Sequence, residues 1–277
     1  MSSQTPLNLV VISDTHVGSR VAVMPDSFQL DDGGTVTPSK LQLGIRAWWN
    51  EFWDDFVPAA TKREPYDVVF NGDVVDGAPH GSVAHMSGLM DDQCNAAIAL
   101  LKPAFRKAKN VHFIRGTEAH VAKNAELEER VAKAVGAVPD ETGRYARWEL
   151  WKTVGDRLVH FLHHIGTSGS AAHEVSAVNA ELTACLVEAA RWGEKAPDMI
   201  VRSHRHRASE IRIPGTRGWM SAVVTPAWQA KTPFCYKIPG ARLAPSQIGG
   251  IVIRFNPKEN ALYTIPFVRH IVRERPE

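Results

Sequence analysis

Cysteine is scarce in this chain, and the three present, Cys94, Cys185 and Cys235, are far apart and form no CxxC pair. An odd number at such spacing excludes a disulfide framework and a thiolate zinc site, and leaves them as small buried side chains. A strong charge of either sign is also missing, since 32 basic residues face 30 acidic ones for a net charge of +2. That falls short of the profile of a dedicated nucleic-acid binder, although a local basic patch remains compatible with it. No apolar run approaches the roughly 20 residues that cross a bilayer. The opening MSSQTPLNLVVISD lacks a basic segment followed by a long apolar stretch. The expectation is a cytoplasmic protein with no membrane partner. Repeats, low-complexity tracts and linkers are absent too, so residues 1–277 read as a single domain.

What is present is an alternation of short apolar runs and helical periodicity. Residues 7–13 form a buried strand ending at Asp14, and residues 66–70 form another ending in Asn71-Gly72-Asp73. A third covers residues 110–115 and is closed by Gly116. Residues 17–38 read as a long loop, and Thr37-Pro38 opens a helix carrying Leu41, Ile45, Trp48, Phe52 and Phe56 on one face. Together, residues 17–63 make a loop-plus-helix insertion. Further helices are expected at about 92–109, kinked at Pro103, at 123–135 and at 174–192. Gly155-Asp156 marks a hairpin whose second strand runs into His163-His164, and residues 198–202 form a strand ending in Ser203-His204-Arg205-His206. Residues 207–277 are a mainly β closing segment. The fold class is α/β: a four-layer α/β/β/α sandwich of two mixed sheets flanked by helices, with chemistry at strand C-terminal ends.

The chemistry-bearing residues cluster at those ends. Asp14 and His16 are two apart, a spacing that in extended chain points both to one side. Asp73 sits in Gly-Asp-Val-Val-Asp-Gly, where a carboxylate between flexible residues suits a position bridging two cations. Asp76 either orients a ligand or caps the next turn. His204 and His206 offer imidazoles at i and i+2. Neighbours in an extended chain face opposite ways, so the His163-His164 pair supplies one ligand, read as the later, His164. Mixed carboxylate and imidazole donors suit manganese first, with iron, zinc or nickel as alternatives. A shared aspartate implies two divalent ions about 3.5–4 Å apart, an arrangement suited to phosphoryl ester hydrolysis.

In this order the motifs resemble those of the calcineurin-like metallophosphoesterases: Asp-x-His, Gly-Asp-x-x-Asp, Gly-Asn-His-Asp/Glu, a lone histidine, and Gly-His-x-His. The resemblance spans roughly residues 7–206. It implies that Asp14, His16, Asp73 and His206 hold one ion, and that Asp73, His204 and the histidine of the pair hold the other. The third motif departs from the pattern, reading Arg115-Gly116-Thr117-Glu118-Ala119-His120. Thr117 stands where a metal-binding asparagine is expected and Glu118 where the acid-catalysis histidine is expected, so His120 or Glu118 takes the catalytic role. Ser203 replaces a glycine. The long loop after Asp-x-His and the Thr-Glu-Ala-His variant look closest to phage-associated members.

The resemblance implies attack on phosphorus by a hydroxide bridging the ions. The partner expected is a phosphoester, read as a diester or nucleic acid because Arg115, Arg202, Arg205 and Arg207 flank the motifs and Trp219, Trp228, Phe234 and Tyr236 could stack on bases. A phosphomonoesterase and a silent metal-binding scaffold are the rival readings.

Overall fold

A computed structural model of the chain describes residues 5–79, 84–166 and 170–272. In chain order these form β1 (Asn8–Ile12), a small hairpin of β2 (Phe28–Gln29) and β3 (Thr35–Val36), and α1 (Lys40–Glu51). A π turn at Phe52–Phe56 carries α1 into α2 (Val57–Ala60). There follow β4 (Asp67–Asn71), α3 (Met90–Phe105), β5 (Val111–Ile114), α4 (Glu118–Val121), α5 (Glu126–Ala134) and β6 (Ala146–Arg147). Next come the hairpin β7 (Leu150–Val154) and β8 (Arg157–Phe161), α6 (Glu174–Trp192), and β9 (Met199–Arg202). The hairpin β10 (Ser209–Gly215) and β11 (Gly218–Val224), α7 (Pro239–Arg242), and the hairpin β12 (Gln247–Asn256) and β13 (Ala261–His270) complete the described chain.

Three local expectations need correction. Residues 17–38 are not all loop, because β2 and β3 pair within them. The first helix is capped by Ser39 rather than Thr37: its hydroxyl accepts from the Gln42 backbone while the Gln42 side chain accepts from Ser39 N, a reciprocal capping box. The helix expected from residue 123 begins at Glu126, since Asn124 and Ala125 have φ of 59° and 54° and interrupt the α conformation.

Two larger sheets carry the architecture. One runs β13-β12-β1-β4-β5-β6 and the other β10-β11-β9-β8-β7. β1, β4, β5 and β6 are parallel, as are β8, β9 and β11, while the hairpin partners at the edges are antiparallel. The parallel strands therefore direct their C-terminal ends the same way within each sheet.

Alternation along β1 sorts the core. Leu9 and Val11 pack with Val69, Ile114, Val159, Phe161, Met199 and Val201, side chains drawn from both sheets. Val10 and Ile12 face the other way, into a cluster with Ile45, Trp49 and Phe52 of the first helical segment and Leu100 and Leu101 of α3. On the second sheet, Ile200, Ala222 and Val224 pack with Val178 and Leu182 of α6. Burying a Leu, Ile or Val side chain contributes about 1.5–3 kcal/mol, so this apolar packing fixes which strand ends lie side by side. Among the described residues no helix is long and apolar enough to cross a membrane.

Candidate metal centre

The strand ends of the two sheets are tied together by buried hydroxyls. Ser13, just past β1, and Ser203, just past β9, each place Oγ 2.7 Å from Oγ1 of Thr225, just past β11. Asn71, ending β4, donates to Ser203 Oγ at 2.7 Å and to the carbonyl of Leu162 at 3.0 Å. Five strand ends are thereby linked through hydrogen-bonded polar groups in a low-dielectric interior, where such bonds are stiff. Ser203 stands where the resembled motif has glycine, and its hydroxyl is a member of this link.

The backbone beyond those ends is unusual. Asp14, His16, Asp73, His204 and His206 all have positive φ, between 41° and 69°. Left-handed backbone costs a non-glycine residue about 1–3 kcal/mol and persists where surroundings over-determine it, as they do at ligand-binding sites. Here Asp14 N donates to Gly72 O at 2.8 Å, His16 N to Asp73 O at 3.1 Å, and Trp228 N to Asp14 O at 3.0 Å. This corrects the reading of Asp14-x-His16 as extended chain: the side chains converge through two left-handed turns.

The side chains meet in overlapping groups. Asp14, His16 and His206 bring ligand atoms within 4.8 Å of one another, as do Asp14, Asp73 and His163, and His163, His164 and His204. A further group joins His16, Asp73 and His120. Asp73 is the hinge. Its Oδ1 accepts from Thr117 N at 2.6 Å, which leaves Oδ2 3.1 Å from His163 Nε2 and 3.9 Å from His16 Nε2. His206 Nε2 lies 3.3 Å from Asp14 Oδ1 and 3.1 Å from His16 Nε2.

Both histidines of the 163–164 pair lie in a candidate group. β8 ends at Phe161, so His163 and His164 lie beyond extended backbone, and both bring a ring nitrogen to the group with His204, His163 buried and His164 exposed. His163 Nδ1 donates to Asn71 O at 2.7 Å, leaving Nε2 free to face the two aspartates. Gly72 is required beside it, because its φ is 91° and a Cβ there would run into the His163 ring.

Orphaned polar atoms test whether cations fit. Asp14 Oδ1 and His163 Nε2 are buried and lack hydrogen-bond partners, although each faces other ligand-type atoms. A buried acceptor without a donor is costly, and divalent cations would satisfy both atoms. The electrostatics agree. Burial opposes ionisation of Asp14 and Asp73, yet the surrounding histidines, led by His206 for Asp14 and His163 for Asp73, hold both carboxyls well below their usual range. Burial would lower His16 and His163, but the carboxylates of Asp14 and Asp76 push His16 up to about 10, and the Asp73 charge pushes His163 up to about 9. Negative potential at the centre thus draws in positive charge, whether protons or metal.

Asp76 faces His16: its Oδ1 is 3.5 Å from His16 Nδ1 and accepts from Gln229 Nε2 at 3.1 Å, while Oδ2 is 2.9 Å from His85 Nδ1. His120 Nδ1 is 2.7 Å from Asp76 O, and burial, then the His16 charge, hold its pKa below the usual imidazole value. Glu118 is exposed on α4 and takes no part in these groups. Residues that sequence reasoning passed over include Glu128, His85, Gln229 and Thr225, none of which sits in a recognisable motif. Glu128 accepts from Gly116 N at 2.6 Å and Val74 N at 3.3 Å, and burial with the Asp73 charge pushes its carboxyl up to about 8.

The arginines and aromatics divide. Arg202 pairs with Glu181, Arg207 with Glu174, and Arg205 donates to Glu174 O, so these three tie β9 and its loop to α6. Arg115 lies under the Trp148 ring, 4.8 Å from its centroid, with Trp148 exposed beside the β6 end. Trp228 is fully buried. Trp219 begins β11, at the end opposite the centre, and lines a cavity of about 540 Å³ with Arg157, Arg217 and Tyr263. Phe234 and Tyr236 are exposed on the segment after Trp228.

No family model and no curated protein matches the sequence. Solved structures with a similar chain path include a Thermotoga maritima protein determined by solution NMR (11% identity, 95% of this chain and 99% of that one, TM-score 0.38). The sulfate thiohydrolase SoxB of Thermus thermophilus, in complex with glycerol, matches at 10% identity over 98% of this chain and 57% of its own, with a TM-score of 0.41. A metallophosphoesterase from Sphaerobacter thermophilus matches at 13% identity over 94% and 88%, with a TM-score of 0.36. Each score lies below 0.5, so the metal centre stands on its own geometry.

Proposed function

We propose that this chain is a dinuclear metal-dependent phosphoesterase of the calcineurin-like kind, built as a single α/β/β/α domain. The observation that carries the reading is Asp73: one carboxylate oxygen is pinned by Thr117 N, and the other is turned toward His16 on one side and His163 on the other. Asp14, His16, Asp73 and His206 would hold the first ion, and Asp73, His163, His164 and His204 the second. Bound there, two divalent cations would lower the pKa of water toward neutrality and offset charge on the phosphoryl oxygens.

The chain's own groups do the rest. Asp76 holds the His16 ring through Nδ1 and leaves Nε2 for the first ion. His120 commits Nδ1–H to the Asp76 carbonyl, so in the imidazolium form Nε2–H is the group that would hand a proton to the departing oxygen. Glu118 is the alternative donor, reaching from the exposed first turn of α4. Among substrates, phosphodiesters, nucleic-acid strands included, are favoured by Trp148 over Arg115 at the same sheet edge and by exposed Phe234 and Tyr236.

The experiment is a substrate panel with added manganese: bis-p-nitrophenyl phosphate, p-nitrophenyl phosphate, cyclic nucleotides, and single- and double-stranded DNA. Diester hydrolysis abolished by chelation and restored by metal is expected. Turnover of the monoester alone would replace the diester reading by a phosphomonoesterase. Metal binding without turnover of any substrate would leave a silent scaffold.

A further inference from the structure

Thr117 Oγ1 sits among three ligand-type atoms of the candidate centre. It is 3.3 Å from Asp73 Oδ2, 3.2 Å from His204 Nδ1 and 3.4 Å from His164 Nε2. A hydroxyl has one proton and two lone pairs, so it can donate to the Asp73 carboxylate and turn its lone pairs toward the same point that His204 Nδ1 and His164 Nε2 face. Atoms that share a cation at about 2.1 Å lie about 3.0 Å apart in octahedral and about 3.4 Å apart in tetrahedral geometry. The spacings around Thr117 match those of a ligand within a shell.

We propose that the Thr117 hydroxyl is a ligand of the second ion, seated by the buried carboxylate of Glu128. The inference rests on the dinuclear reading above and assigns to that site a neutral oxygen donor. Glu128, fully buried on α5, accepts from Gly116 N and from Val74 N, and so clamps the loop after β5 to the loop after β4. One residue on, Thr117 N donates to Asp73 Oδ1 at 2.6 Å. Gly116 permits this approach, since a Cβ there would collide with Asp73. With its backbone fixed on both sides, Thr117 has little freedom to carry its hydroxyl elsewhere. The two sites then differ in charge: the first has Asp14 and shares Asp73, whereas the second shares Asp73 and is otherwise completed by neutral imidazoles and a hydroxyl. The second ion is the more weakly held.

The test is a cobalt(II) titration of chelator-stripped protein, followed by calorimetry and by the visible d–d bands, on wild type, Thr117→Val, Thr117→Ser and Glu128→Gln. Wild type binds two equivalents, the second more weakly. Thr117→Val leaves the first equivalent intact and weakens the second by about 10- to 100-fold with altered bands. Thr117→Ser behaves as wild type. Glu128→Gln, which meets one of its two N–H donors with an amide nitrogen, weakens the second equivalent while the stripped protein still unfolds cooperatively. Thr117→Ala, losing the hydroxyl without adding bulk, serves if the valine variant fails to fold. A second equivalent of wild-type affinity and spectrum in Thr117→Val, or a loss in Thr117→Ser equal to that in Thr117→Val, overturns the proposal. Wild type that binds fewer than two ions overturns the dinuclear reading itself, and the Thr117 assignment with it.

Discussion

The imidazole of His120 stands edge-on to that of His16, with ring centroids 4.4 Å apart and planes at 77°. The carbonyl of Asp76 holds His120 Nδ1, while the Asp76 carboxylate faces His16 Nδ1, so one residue positions both rings. A proton donor matters most when the leaving oxygen is strongly basic, because p-nitrophenolate departs without one. His120→Ala is therefore expected to slow alkyl phosphoesters by about 10²- to 10⁴-fold and p-nitrophenyl esters far less, with bound metal unchanged. Loss of an ion in that variant would make His120 a ligand. Equal, wild-type rates for both leaving groups would transfer the role to Glu118, which the same comparison on Glu118→Gln examines.

In the proposed centre, Asp73 would serve two ions and His206 one. Asp73→Asn keeps the side chain's shape but removes the charge shared by both sites, and both equivalents should fall away at low free metal. His206→Ala should cost mainly one. Metal analysis of the purified variants decides this, and two full equivalents on Asp73→Asn would remove the bridging role.

Much of this was legible in the chain because buried parallel strands read as continuous apolar runs. Residues 7–13 and 198–202 enclose the observed β1 and β9, residues 66–70 overlap all of β4 but its last residue, and the residues following these strands lie in the candidate centre. Three features escaped for physical reasons. A period-2 argument assumes extended backbone, whereas Asp14 and His16 are left-handed and His163-His164 lie beyond the end of β8. Glu128 is a helical glutamate in the run Glu126-Leu127-Glu128-Glu129, and only folding buries it against Gly116 and Val74. The arginines near the motifs looked available for phosphate, yet Glu174 and Glu181 of α6, distant in sequence, engage three of them.

Away from the centre, His112 on β5 supplies a pH test. Burial, then the charges of Lys152 and Arg147, push its pKa down to about 3, and its Nε2 lies 3.1 Å from Lys152 Nζ, which pairs with Asp67. In the unfolded chain the same imidazole titrates near 6.5. Between those values the unfolded state binds more protons, so stability rises with pH and is lost as pH falls below 6.5. Chelator-stripped wild type should lose about 1–2 kcal/mol more than His112→Phe between pH 7 and pH 5. Urea denaturation at the two pH values measures it, and parallel losses would show that His112 is protonated in the fold.

Substrate class has its own signature in salt. Each lysine or arginine contact to a nucleic-acid phosphate releases condensed counterions, so apparent affinity for a strand should fall steeply with ionic strength. A small diester should respond weakly. Equal, shallow slopes for both at fixed metal concentration would rule out an extended nucleic-acid groove and leave a compact diester or monoester as the substrate.

The most direct test of the dinuclear assignment is a manganese titration of chelator-stripped protein in which bound metal and bis-p-nitrophenyl phosphate hydrolysis are followed together. The account predicts that activity rises only as the second equivalent binds, reaches its plateau at two ions per chain, and is absent from Asp73→Asn at every metal concentration. Full activity at one equivalent, or hydrolysis that persists without metal, would contradict it.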